Sequence, residues 1–153
     1  MATNSGTIAT GGCQCGAVRY ALSADPAMSV CFCRMCQKAS GNYFAAFATV
    51  PDDALAWTKG KPATFASSAA AERGFCPACG TPLTFKYHGK GRISVTAGSL
   101  DDPARAAPDH AHGVEGRMPF IAAIAHLPGS RTGDGIPAVE LARYASRQHP
   151  DHD

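Results

Sequence analysis

The chain has 153 residues, of which 45% are apolar and 17% charged, with a formal net charge of +2 at neutral pH. That length suits one domain and is short for two, and so small a charge gives no general field for nucleic acid or an anionic membrane. Gly and Pro reach about 18% of the residues against a usual share of roughly 12%, an aperiodic excess that argues for turns and short elements and against a helical bundle.

In chain order, residues 1–10 read as a flexible N-terminus that lacks the basic residue and apolar core of a signal peptide. Val18 to Leu22 alternates as a half-buried strand does. Asn42 to Val50 is rich in aromatic and small apolar residues and ends at Pro51, which suits a core strand. Thr84 to His88 alternates into Gly89, Lys90 and Gly91, and Ile93 to Ala97 completes a hairpin pattern. Pro119 to Leu127 fits either a strand or a short helix. A loop is expected over Gly129 to Gly135, a short last helix over Pro137 to Arg147, and a disordered tail from His149 to Asp153. No apolar run reaches the 18 residues of a membrane span, so a soluble, cytoplasmic protein is expected, with neither a membrane nor nucleic acid as partner.

Cysteine carries most of the information. The seven fall into three groups: Cys13 and Cys15; Cys31, Cys33 and Cys36; Cys76 and Cys79. An odd number cannot complete a disulfide framework, and no oxidising compartment is indicated. Thiols kept as small buried hydrophobes have no reason to cluster. Gaps of one and two residues let thiolates converge on one ion at Zn–S distances of about 2.3 Å. Phe75-Cys76-Pro77-Ala78-Cys79-Gly80 reads as a zinc knuckle, Pro77 fixing φ and Gly80 permitting the left-handed turn. A redox C-x-x-C would open a helix, and Gly80, Thr81 and Pro82 argue against one.

Four plus three is the natural division of seven thiolates, because a structural zinc closes its shell with four ligands and a reactive zinc keeps three. One loop bearing Cys31, Cys33 and Cys36 would then supply one ion, and Cys13 and Cys15 would join Cys76 and Cys79. A zinc ribbon of Cys33 and Cys36 with Cys76 and Cys79 competes, although its central gap (37 to 75) is long against the usual value of about 15–20. Spacing leans to the first division and leaves both open.

The motifs resemble those of the glutathione-dependent formaldehyde-activating enzyme family. They run through Gly12-Cys13-Gln14-Cys15-Gly16-Ala17-Val18-Arg19-Tyr20, then the C-x-C-x-x-C with Ser40-Gly41. Arg73-Gly74-Phe75-Cys76-Pro77-Ala78-Cys79-Gly80-Thr81 and Gly98-Ser99-Leu100-Asp101-Asp102-Pro103 complete the set. The resemblance covers about residues 11–120. It implies a mainly β, single-domain, tent-like fold of small antiparallel sheets with short helices, organised around a tetra-thiolate zinc. The domain would span 11–128, with a C-terminal extension over 129–153. By resemblance, Cys13, Cys15, Cys76 and Cys79 hold the structural zinc, and Cys31, Cys33 and Cys36 hold a second, reactive one. The implied activity is that of a carbon–sulfur lyase joining formaldehyde to glutathione as S-hydroxymethylglutathione.

The chain also departs from the family pattern. Phe32 stands where the family often has His, Gln37 where it often has a basic residue, and Pro119-Phe120 where it has Pro-Trp. A family histidine has two candidates here, His110 and His112, and His112 is the candidate for lining the reactive pocket.

Other residues have plainer readings. Arg73 could bind a substrate carboxylate, donate to the zinc thiolates, or make a surface ion pair. Asp101 and Asp102 read as a capped turn rather than an acid/base pair, and Lys59, Lys61, Lys86, Lys90 and Arg92 as solvated loop residues. Trp57 and the phenylalanines read as core. Two function classes follow: an enzyme acting on adducts of a small thiol such as glutathione with formaldehyde or another small aldehyde, and a non-catalytic zinc-stabilised binding module. The module predicts no pocket beside Cys33. A redox role, third, predicts a disulfide among Cys31, Cys33 and Cys36.

Overall fold

The computed structural model describes residues 6–152, and ten strands and two short α-helices form among them. The strands are β1 (Ala9–Gly12), β2 (Arg19–Leu22), β3 (Ala27–Cys31), β4 (Ala45–Pro51), β5 (Leu55–Lys59), β6 (Ala63–Ser68), β7 (Ala71–Phe75), β8 (Pro82–Tyr87), β9 (Arg92–Thr96) and β10 (His110–His112). Helix α1 (Arg34–Ser40) sits between β3 and β4, and α2 (Ala138–Leu141) follows β10. Three strands form a small sheet in the order β1-β2-β5; the other seven form a second in the order β10-β3-β4-β9-β8-β7-β6. Pairing is antiparallel except between β10 and β3. The protein is mainly β, as its turn-rich composition and motifs predict.

Alternation gives the two faces of the larger sheet different roles. Met28, Ala48, Val50 and Val95 turn one way, into a core shared with Val18, Tyr20 and Leu22 around the small sheet. Their neighbours Ser29, Cys31, Phe47, Thr49, Arg92 and Ser94 turn the other way and line an open cavity. Thr49 and Ser94 are paired in register, and their hydroxyls meet at 2.8 Å.

The two halves of the core are tied by polar contacts that the apolar pattern does not show. Tyr20 is fully buried, and its phenol meets Ser99 Oγ at 2.8 Å. Beside it Arg19 donates to both carboxylate oxygens of Asp101, at 2.8 and 2.6 Å, and Thr10 Oγ1 donates to the same group. Asp101 is therefore neither a cap nor half of an acid/base pair; Asp102 begins a 3-10 turn at Pro103–Arg105 without a side-chain cap. Burial works against the Asp101 carboxylate, but the Arg19 and Thr10 hydrogen bonds outweigh it and hold its pKa below the ordinary value of 3.8. A depressed carboxyl pKa contributes stability above its unfolded value and loses it as pH falls through the native one. Asp101→Asn is expected to cost about 3 kcal/mol near neutrality, because it removes the negative charge that faces a buried guanidinium. The deficit should be constant down to about pH 5 and shrink below the ordinary aspartate range, which denaturant titrations across pH would read.

β2 lies within the expected Val18–Leu22 strand, and β8 and β9 form the expected hairpin, with Thr84 opposite Val95 and Phe85 opposite Ser94. β4 starts at Ala45 rather than Asn42, since Gly41 (φ 61°) closes α1 and the Asn42 side chain accepts the Tyr43 N–H. The alternatives for Pro119 to Leu127 resolve to a 3-10 helix at Ile121–His126, and α2 with the 3-10 turn Ala142–Tyr144 falls inside the expected last helix. β1 begins at Ala9, within the stretch expected to be flexible, because its backbone pairs with β2; residues 1–5 lie outside the described residues. The tail is packed rather than disordered at His149, whose N–H donates to Gln14 O at 2.8 Å and whose ring lies against Gly16. Asp153 lies outside the described residues.

Candidate functional site

Two separate groups of thiols come together, and their membership resolves the sequence alternatives. Cys13, Cys15, Cys76 and Cys79 form one group and Cys31, Cys33 and Cys36 the other, with the sulfurs of each group within 4.8 Å of one another. The ribbon that would join Cys33 and Cys36 to the knuckle does not form. None of the seven is in a disulfide.

The quartet is built by two tight turns. Between β1 and β2, Gly16 N–H donates to Cys13 O, and Val18 N–H donates to Cys13 Sγ at 3.3 Å. Between β7 and β8, Gly80 (φ 78°) bonds back to Cys76 O at 2.8 Å, closing the knuckle that the sequence predicts. Gln14 N–H reaches Thr81 Oγ1 at 3.1 Å and locks one turn onto the other. Cys13 and Cys15 sulfurs lie 3.6 Å apart, and Cys15 and Cys76 sulfurs 3.8 Å. Tetrahedral zinc with Zn–S bonds of about 2.3 Å needs sulfurs about 3.8 Å apart, so four soft donors at this spacing fit that ion. Lost solvent raises the Cys79 thiol, but the Thr81 hydroxyl and the Thr81 and Cys15 N–H groups hold it down to about 6, which favours the ligating thiolate.

The trio is not held by a single loop, as the spacing suggested. Cys31 ends β3, Cys33 caps α1 with its sulfur accepting the Cys36 N–H at 3.4 Å, and Cys36 lies in the first turn of the helix. Burial pushes the Cys31 thiol up to about 12. Burial also opposes the Cys33 thiolate, but the Cys36 N–H leads the contacts that hold it below the ordinary thiol value. Arg73, on β7, is buried and donates to Cys36 Sγ at 3.3 Å and to Ser67 Oγ at 2.9 Å. Of the three roles open to it from sequence, donation to the thiolates is the contact formed.

An open cavity of about 370 Å³ lies over the trio and is bounded by β3, β4, β9, β8 and β7. His112 lines it, whereas His110 does not, although the two rings lie 4.5 Å apart. Lys90 and Arg92 also line it. The sequence reads them as solvated loop residues, yet the period of β9 puts Arg92 and Ser94 on the face of Phe47 and Thr49. Among the described residues no Asp or Glu lines the cavity. Lys86 instead pairs with Asp52 at 2.8 Å.

One support was invisible in the residue pattern. Gly113 has φ 58°, and a Cβ there would lie 2.6 Å from Cys33 N and 2.8 Å from Cys33 Cβ. Gly113→Ala is therefore expected to push Cys33 out of line, weakening metal retention by the trio roughly 10-fold or more. Chelator competition checks this, with the quartet as internal control.

The sequence model of the family described as glutathione-dependent formaldehyde-activating enzyme matches residues 8–114, well over half the chain. The chain belongs to that family. A Schizosaccharomyces pombe protein named an uncharacterised lyase is 34% identical over 89 residues, covering 57% of this chain and 64% of that one. The match thus spans less than two thirds of that relative. A Rhodobacter sphaeroides protein of known crystal structure shares the fold at a TM-score of 0.52 and 21% identity, covering 67% of this chain and 98% of that one.

Within this formaldehyde-activating enzyme family member, the departures beside the trio turn away from the cavity. Phe32 is buried against Phe44, with Arg117 over its ring. Gln37 is buried and donates to Phe32 O and Gly116 O, both at 2.9 Å, latching α1 to the segment after β10. Phe120 packs edge-on to Tyr43 at 5.0 Å.

Proposed function

We propose that this protein is a zinc-dependent carbon–sulfur lyase acting on adducts of glutathione, or a similar anionic thiol, with a small aldehyde. Cys13, Cys15, Cys76 and Cys79 would hold a structural zinc, and Cys31, Cys33 and Cys36 a second one. The observation that carries the reading is the cavity over the trio, walled by strands and lined beyond the thiols by Arg73, Lys90 and Arg92. A binding module stabilised by metal has no need of such a cavity beside Cys33.

Bound at the trio, zinc supplies a Lewis acid that eases deprotonation of a thiol or polarises a carbonyl. The chain's own groups supply the rest. Arg73 places one positive charge on Cys36 Sγ, offsetting part of the charge of three thiolates. Lys90 and Arg92 line the same cavity with no ion-pair partner among the described residues and suit the carboxylates of glutathione. His112, which lines the cavity, would receive the thiol proton and return it to the carbonyl oxygen as the S–C bond forms. The reverse sequence releases the aldehyde. In the cell this chemistry belongs in the cytoplasm, where glutathione is abundant and thiols stay reduced.

Metal-replete protein mixed with glutathione and formaldehyde should form adduct faster than the uncatalysed mixture. Arg92→Glu should raise KM for glutathione roughly 10-fold, equivalent to about 1.4 kcal/mol, and leave KM for an uncharged diester of the same thiol nearly unchanged. Equal rates with and without protein would sink the assignment.

A further inference from the structure

The cavity offers more than a one-carbon electrophile can use. Formaldehyde presents two heavy atoms, and glutathione is polar along its length, so neither matches an apolar wall. Yet Phe47 shares a buried cluster with Cys36 and Ala45, against which Cys31, Cys33 and Phe85 pack, and the Phe47 and Phe85 rings lie 5.7 Å apart. Tyr87 continues the wall edge-to-face from Phe85 at 4.8 Å. Met35, between Cys33 and Cys36 in the first turn of α1, completes it, with Ser67 Oγ donating to its sulfur at 3.6 Å.

Two observations separate this wall from ordinary core. Tyr87 is 52% exposed and Met35 53%, so much of their apolar surface is left for a ligand to cover. The wall is also fixed in place beside the trio: Arg73 lies 4.7 Å over the Phe85 ring while bonded to Cys36 and Ser67. Its position follows from register, because Phe85 and Tyr87 share one face of β8 as Phe47 and Thr49 share one face of β4.

Resting on the reading that this site handles thiol adducts, we propose that the electrophile half of the substrate carries an apolar, planar body. That body lies along Phe47, Phe85 and Tyr87 while its reacting carbon sits at the cysteine trio. The chemistry is unchanged. A bond forms between the thiol sulfur and the carbonyl carbon, the carbonyl π pair becomes an oxygen lone pair, and the thiol proton ends on that oxygen. The wall sets specificity through the substituent on the carbon, by stacking and edge contacts with the rings.

Two unreactive thioethers test this: S-benzylglutathione and S-methylglutathione, titrated calorimetrically into the metal-replete full chain. The benzyl compound should bind at least about 10-fold tighter. Tyr87→Ser, at an exposed position, and Phe85→Leu should each remove most of that preference and leave the affinity for the methyl compound within about twofold. Benzyl mercaptan, which lacks the peptide, is the third probe. Should both thioethers fail while benzyl mercaptan binds in a Tyr87-dependent way, the aromatic subsite stands and the glutathione reading falls. Equal affinity for the two thioethers overturns the proposal. So does a benzyl preference indifferent to both substitutions, or failure of every aromatic probe.

Discussion

Cys76→Ser is expected to remove one metal equivalent and, with it, the cooperative fold. Cys76 is fully buried, and its sulfur lies 3.8 Å from that of Cys15, 61 residues away in the chain. A metal held by the quartet would clamp the β1–β2 turn of the small sheet to the β7–β8 turn of the large one. Apparent binding energies of structural zinc are about 10–16 kcal/mol, comparable with the whole net stability of a small domain, about 5–15 kcal/mol. Losing one of four ligands at a buried position therefore removes more than the remaining core can supply. Elemental analysis and thermal melts would read the change, and exhaustive chelation of the parent should reproduce it. A variant that kept two zinc ions and melted within a few degrees of the parent would refute the clamp. Cys79→Ser, at an exposed position, should do less damage than Cys76→Ser, since water can complete the shell there.

The sequence discloses the parts of this architecture that depend on local chemistry. Close cysteine gaps, a knuckle with Pro77 and Gly80, and a glycine-rich hairpin turn are each decided by neighbours within a few residues. They came out as read. Helix α1 is different. Its first turn carries no acidic residue, and its cap is a cysteine rather than Ser, Thr, Asp or Asn, so the usual start signal is absent and the segment reads as loop. β6, β7 and β10 are equally hidden, because these short strands mix small, polar and charged residues with little periodic signal, and β10 pairs with β3 about eighty residues earlier. The basic residues of the cavity illustrate the same limit. Arg92 looks like a loop cation until the register of β9 against β4 puts it beside Thr49, whose carbonyl it meets at 3.3 Å. Asp101 looks like turn chemistry until Arg19, 82 residues earlier, arrives to bind it.

Cys33→Ser should separate the two proposed metals, leaving the fold intact while abolishing turnover. Cys33 caps α1, and serine is itself a favourable N-cap whose oxygen can accept the Cys36 N–H. The helix therefore keeps its start, and the cost in stability should stay within about 1 kcal/mol. The trio, however, falls to two thiolates, too few to hold zinc against competing water and chelator. Metal content should drop from near two equivalents to near one, and adduct formation should fall by a factor of about 100 or more, with the melting temperature hardly moved. This pattern is the reverse of the one expected for Cys76→Ser, and that contrast gives the pair of substitutions its force. Should Cys33→Ser unfold the chain, or keep both metals and full activity, the trio would be a second structural staple rather than the place where the thiol adduct is made and broken.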